Sequence, residues 1–303
     1  MNVSQRRLIR SATALSVMCI LLSAPTSTFG WGAGGHMMIA YIAYKRLNPK
    51  ARNKVSELLA INIAPSSVTS KSKDFVNASH WADDLRPFPE FDEFKVRHFI
   101  DKPILTDGTP PPPEDSDNIV KALEDNLQIL QTSTDKNAQA RALRFIIHFV
   151  GDIHQPLHCS TKVDQAHPEG DRGGNLFSLS IPDKGGKKRL TNLHSYWDGG
   201  LGSFPPTGAN FAPPSLSTIP AAATLAMKAN PATDPRLKLD GPFIFRDWAD
   251  ESFVLARDSA YQGIQPKGFV SASYTAKNLK VVRTRVAWAG YRLSALLNAI
   301  WPD

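Results

Sequence analysis

Two His–Asp pairs at a spacing of four, His148 with Asp152 and His194 with Asp198, are the residues whose types and spacing most directly allow chemistry. On a helix that spacing puts both side chains on one face. The first pair lies in RALRFIIHFVGDIHQPLH, residues 141–158, among Phe145, Ile146, Ile147, Phe149, Val150 and Ile153. An imidazole and a carboxylate in so apolar a run are costly unless they bond each other or a metal. The pair alone leaves both readings open. Pro156 ends that helix and His158 follows it. Further groups come from SHWADDLR at 79–86, with Asp83 and Arg86, and from VRHFID at 96–101, with His98, Phe99 and Asp101. WGAGGH at 31–36 adds His36. The five histidines and three aspartates (Asp83, Asp152, Asp198) exceed what one tetrahedral ion takes. Imidazole and carboxylate together suit zinc. Several ions sharing a bridging carboxylate are the usual apparatus for in-line attack at phosphorus.

The elements that must position these groups are mostly helical. Residues 36–47 carry apolar side chains at helical spacing and end at Asn48-Pro49. Residues 50–60 and 75–85 read as further helices. The segment PILTDGTPPPPEDSD, 103–117, is a Pro-rich loop that cannot hold a helix or an inner strand. Asp117 caps a helix through Leu130, with Ile119, Leu123, Leu127 and Leu130 on one face. Residues 137–154 form the clearest helix. Glycines then punctuate the chain, and weak alternation over 176–181 suggests a short hairpin. Residues 203–220 read as loop, with helices near 220–229, 246–260 and 275–300. The last is so apolar that it should be central. The expected fold class is all-α, mainly helical with a short β-hairpin.

The chain has 303 residues and a net charge of +7. Arg6, Arg7 and Arg10, then an uncharged apolar run over 12–24 and small residues, make the pattern of a secretory signal. The run is too short for a permanent membrane anchor. Residues 1–30 are therefore expected to be a signal peptide and 31–303 a single catalytic domain. A cut after Gly30 makes Trp31 the first residue, and +7 less three arginines leaves +4. A mildly basic surface suits a polyanionic partner. The expected product is secreted or periplasmic, a monomer without a stable membrane anchor. Cys19 leaves with the signal, and Cys159 alone makes no internal disulfide. Core burial and metal must then supply stability.

These motifs, from Trp31 to Asp198 and in this order, resemble the zinc-dependent single-strand-specific nucleases of the S1/P1 type; GYRL at 290–293 also fits. The resemblance implies an almost entirely helical fold and three zinc ions. By position, Trp31 would bind zinc through its terminal amine and carbonyl, with His36 and Asp152. Asp83, His98, His148 and Asp152 would hold a second ion, with Asp152 bridging. His158, His194 and Asp198 would hold a third, more separate one. Arg86 matches an arginine that steadies phosphate charge, so Arg86, Asp83 and Asp152 are the expected catalytic residues. Phe99 and Asp101 match residues that stack on and hydrogen-bond a base, and Asn175 one near the scissile group. The implied substrates are single-stranded DNA and RNA, with 3′-nucleotides, cut to 5′-phosphate products. Activation would follow export, since the amine exists only after cleavage.

Other side chains read as bystanders: His80 on a helix surface, His167 and Asp84 solvated, Cys159 turned away from the ligands. His154 and Asp171 are open between supporting a ligand and mere structure. Two competing functions remain. One is a phospholipase C on the same tri-zinc plan, in which the first His lies further from the N-terminal Trp and the last ligand is typically Glu. The spacing of His36 from Trp31 and the presence of Asp198 favour the nuclease. The other is a non-catalytic secreted zinc-binding protein, which would have no use for Arg86, Phe99 and Asp101.

Overall fold

Residues 31–182, 186–207 and 212–303 are described by the structure, a computed structural model; the expected signal, residues 1–30, lies outside them. Helix α1 (Ala33–Tyr44) is apolar nearly all round, with Met37, Ile39, Ala40, Ile42 and Ala43 wholly buried. Such a helix belongs in the interior. It packs against the long C-terminal helix α10 (Ala272–Ile300), which is central as expected. Gly290 lets the two meet, because a β-carbon there would lie 2.6 Å from Ile42 Cβ.

The next helix, α2 (Pro49–Ala60), starts at a proline and is capped by Asn48, whose side chain accepts the Ala51 N–H. Helix α5 (Ile119–Thr132) is capped by Asn118, which accepts from Val120 and Lys121. The expected cap, Asp117, sits one residue early and pairs with Arg97 at 2.8 Å. Helix α6 (Lys136–Asp152) starts from an Asp135 cap, is buried from Ala142 onward, and packs on α5, α2, α10 and α1. Helices α8 (Ile219–Ala229) and α9 (Phe245–Leu255) complete the wall, α9 ending in one wide turn over Ala256–Ala260. The mainly helical class agrees with expectation. No helix among the described residues is long and apolar enough to cross a membrane.

Three expectations about local structure need correction. After the short turn α3 (Ser66–Thr69), residues 75–85 are not one helix. They form the single turn α4 (Phe75–Ala78) and a 3₁₀ turn, Asp83–Leu85. In a continuous helix the Ser79 carbonyl would accept the Asp83 N–H; here it accepts from His148 at 2.7 Å. The Pro-rich segment does contribute a strand. Strand β1 (Pro103–Leu105) pairs in parallel with β2 (Thr161–Val163), Pro103 opposite Thr161. A proline at the first strand position sacrifices no ladder bond from the strand interior. The hairpin exists but begins two residues late, as β3 (Ser178–Pro182) antiparallel to β4 (Lys188–Asn192). It runs directly into α7 (Leu193–Asp198), which Asn192 caps.

Candidate metal centre

Helix α6 presents His148 and Asp152 on one face, as their spacing requires, and α1 brings His36 against them. His36 Nε2 lies 3.1 Å from Asp152 Oδ1. The other oxygen, Oδ2, lies 2.9 Å from His98 Nδ1 and 3.0 Å from His148 Nε2. Asp83 Oδ1 is 3.8 Å from both of those nitrogens. His98 ends the 3₁₀ stretch Pro89–His98. The His36 and His148 rings stack with centroids 4.0 Å apart. Gly151 permits this approach, since a β-carbon there would lie 2.6 Å from His36 Nδ1.

A second set forms beside the first. His158 comes from the 3₁₀ turn Pro156–Cys159, His194 and Asp198 from α7. The two imidazoles face each other Nε2 to Nε2 at 3.1 Å, with Asp198 Oδ2 3.4 Å from His194. Among the described residues, three groups thus place their ligand atoms within 4.8 Å of one another: His36, His148 and Asp152; Asp83, His98 and His148; His158, His194 and Asp198.

Hydrogen bonds fix which nitrogens face inward. A carbonyl only accepts, so each imidazole that touches one must donate to it. His148 Nδ1–H donates to Ser79 O at 2.7 Å, His158 Nδ1–H to His98 O at 2.7 Å, and His194 Nδ1–H to Gly173 O at 2.8 Å. In the neutral rings each Nε2 is then a lone pair aimed into its cluster. Lone pairs meeting at 3.1 Å in a buried space repel unless a cation lies between them. His36 Nδ1 is buried without a hydrogen-bond partner. Buried polar atoms are otherwise almost always satisfied. This donor set, with carbonyls bracing the outer nitrogens, fits divalent metal and zinc in particular.

The electrostatics agree. Burial pulls the His36 pKa down to about 4 and lowers that of His98. Burial also opposes the charge on His148, but Asp152 and Asp83 lift its pKa to about 9. Burial raises Asp198 well above the carboxylate range. Against the same burial, His148 and His158 hold Asp152 well below it. The site concentrates ligand charge at Asp152, between the two sets.

The remaining expected residues, Arg86, Phe99, Asp101, Asn175 and Trp31, are not members of these three groups. Arg86 Nη2 pairs with Asp83 Oδ1 at 2.7 Å and stays 18% exposed, enough to reach a ligand. Phe99 is half-buried next to His98, its carbonyl accepting the Ile119 N–H while Ile100 N–H donates to His158 O. Asp101 is partly exposed; burial and the nearby Asp171 push its pKa up to about 6. Asn175 Nδ2 donates to Arg172 O at 2.7 Å, so its amide bonds its own loop. Trp31 is buried against Phe204, and Gly32 N–H donates to Asp198 O at 2.9 Å, tying the N-terminal segment to α7.

His80 is not a surface residue: it is 6% exposed and bonds Asp84 at 2.8 Å. His154 turns away from the metal centre. Its Nδ1–H donates to Val150 O, and its Nε2 faces Arg292 Nη1 at 3.0 Å. Arg292 and Arg285 share Glu251, and Arg285 Nε donates to His154 O. Asp171 accepts from the Lys162 and Gly174 N–H groups and from Tyr261, so it shapes the Gly173 turn whose carbonyl holds His194. His167 bonds Asp164. Cys159 donates to Ile153 O, lies outside the ligand groups, and has its pKa pushed up to about 12 by burial. Sequence reasoning missed Gln155, which is wholly buried with its amide on Asp198. Its one sequence signal is a polar side chain between ligands, directly before Pro156.

Residues 31–302 match the family model described as S1/P1 Nuclease. The chain is 28% identical to Endonuclease 2 of Arabidopsis thaliana over 303 residues, covering 93% of this chain and 94% of the relative. It is 28% identical to Nuclease S1 of Aspergillus oryzae over 308 residues, covering 94% and 97%. Nuclease P1 of Penicillium citrinum is 29% identical over 178 residues, covering 55% and 57%. The matched span runs from Trp31 through all three ligand groups and the whole of α10. The chain accordingly belongs to the S1/P1 nuclease family, hydrolases that act on phosphodiester bonds.

Proposed function

We propose that residues 31–303 act as one catalytic domain that holds three zinc ions and cuts single-stranded DNA and RNA to 5′-phosphate products, with 3′-nucleotidase activity. The observation that carries this reading is the set of three buried ligand groups, two sharing His148, which lies 3.0 Å from Asp152, and the third beside them, with the His158 and His194 lone pairs facing one another. Trp31, His36 and Asp152 would hold one ion; Asp83, His98, His148 and Asp152 the next; His158, His194 and Asp198 the third. Bound zinc lowers the pKa of water towards neutrality and offsets negative charge at phosphorus.

The chain's own side chains do the rest. Arg86, braced by Asp83, offers guanidinium N–H groups to phosphate oxygens. Phe99 offers a face for an unstacked base, which a duplex hides, hence the single-strand preference. Asp101, with its raised pKa, hydrogen-bonds the base edge, and Asn175 lies near the scissile group. Residues 1–30 serve as an export signal, and the product is a secreted or periplasmic monomer. Removal of the signal at Gly30 frees the Trp31 amine, so export and activation coincide.

The test is a substrate panel on the zinc-loaded mature chain: single-stranded DNA, RNA, duplex DNA, a 3′-nucleotide and phosphatidylcholine. Turnover of the single strands with 5′-phosphate ends, ahead of duplex, is expected. Turnover of phosphatidylcholine alone, or of nothing, overturns the proposal.

A further inference from the structure

Gln155 uses both ends of its amide. Nε2 donates to Asp198 Oδ1 at 2.7 Å, and Oε1 accepts the Leu157 N–H at 2.6 Å. A flipped amide would set NH₂ against N–H and oxygen against carboxylate, so only one orientation is compatible with both bonds. The first bond occupies Oδ1 and leaves Asp198 Oδ2 as the oxygen turned towards His194, 3.4 Å from its Nε2. The second bond caps the turn Pro156–Cys159, which carries His158. One wholly buried side chain therefore orients two of the three ligands of the group formed by His158, His194 and Asp198. The other groups are braced elsewhere. His148 is held by Ser79 O, Asp83 by Arg86, and His98 by Asp152. None of those bonds passes through the Gln155 side chain.

We infer that Gln155 is a positioning residue that sets the zinc affinity of the third site separately from the other two; this rests on the three-zinc reading above. Removing the amide frees Asp198 to turn and loosens the turn beneath His158, while Asp152, His36, His98, His148 and Asp83 keep their partners. The inference concerns metal loading, so its readout is zinc and not turnover.

The experiment compares the metal-free mature wild type with Q155M and Q155L, titrated with zinc against a chelating indicator, and counts zinc per chain after dialysis. The wild type is expected to bind three ions. In both variants one site should weaken by about 10- to 100-fold, the usual consequence of losing a ligand's outer hydrogen bond, with two sites unchanged. Three sites of wild-type affinity in the variants overturn the inference, as does uniform weakening of all three. Far-UV circular dichroism checks the fold. If one variant fails to fold, the other carries the test; if both fail, Gln155 holds the fold and the inference falls. A wild type that binds fewer than three ions overturns the three-zinc reading itself, in an arm that involves no substitution.

Discussion

Zinc uptake should release protons, and its affinity should rise with pH across the neutral range. In the metal-free protein His148 is wholly buried. Burial disfavours its charge, yet Asp152 and Asp83 lift its pKa to about 9. Its Nδ1 donates to Ser79 O, so the nitrogen left for metal is Nε2, and a proton there must leave first. At pH 7 the protonated ring outweighs the neutral one by about 100-fold, and displacing the proton costs about 3 kcal/mol. Affinity should therefore rise about tenfold per pH unit from pH 7 to 8 on this account alone. Asp198, raised by burial, adds release in the same direction, whereas His36, at about 4, adds none. The same shift acts on metal-free stability. A folded pKa above the ordinary imidazole value of 6.5 gives His148 a stabilising effect that is complete below 6.5 and fades as pH rises through about 9. The gap in Tm between zinc-loaded and metal-free protein should widen accordingly. Calorimetric titration in two buffers of different ionisation enthalpy should show at least one proton released per chain at pH 7. Buffer-independent heats with a flat affinity profile would refute the reasoning.

Four substitutions probe the rest of the account. Gly151→Ala places a β-carbon 2.6 Å from His36 Nδ1, and should cost about 1–3 kcal/mol by overpacking, visible as a lower Tm and weaker zinc retention. Glu251→Ala leaves Arg285 and Arg292, each 1% exposed, without their carboxylate. Because the Glu251 side chain is itself 32% exposed, the loss should cost about 1–3 kcal/mol, read from the urea midpoint. Arg86→Ala should lower kcat by about 10²- to 10³-fold even at saturating zinc, as for loss of a donor to developing charge. Phe99→Ala should raise KM for single-stranded oligonucleotides by about 5- to 150-fold with kcat little changed, the equivalent of one lost base stack.

Local rules made α6 legible: its apolar run, its His–Asp spacing and the closing Pro156 all agree with the structure. Convergence of the other ligands was not a local property. His36 meets Asp152 only because glycines at 151 and 290 let backbones and rings approach closely. The 75–85 segment misled because its periodicity is helical, while a distant imidazole claims the Ser79 carbonyl. The β1–β2 pair was invisible because three-residue strands take their stability from a partner 58 positions away. Surface or core was misjudged for His80, whose polar character hides a partner in Asp84. Gln155 escaped notice because glutamine carries no metal chemistry of its own and acts only through Asp198.

The most direct measurement is an anomalous difference map at the zinc edge from crystals of the mature chain beginning at Trp31. Three peaks are expected, one touching Trp31, His36 and Asp152, one among Asp83, His98, His148 and Asp152, and one among His158, His194 and Asp198. A single peak, or peaks away from these side chains, would contradict the account.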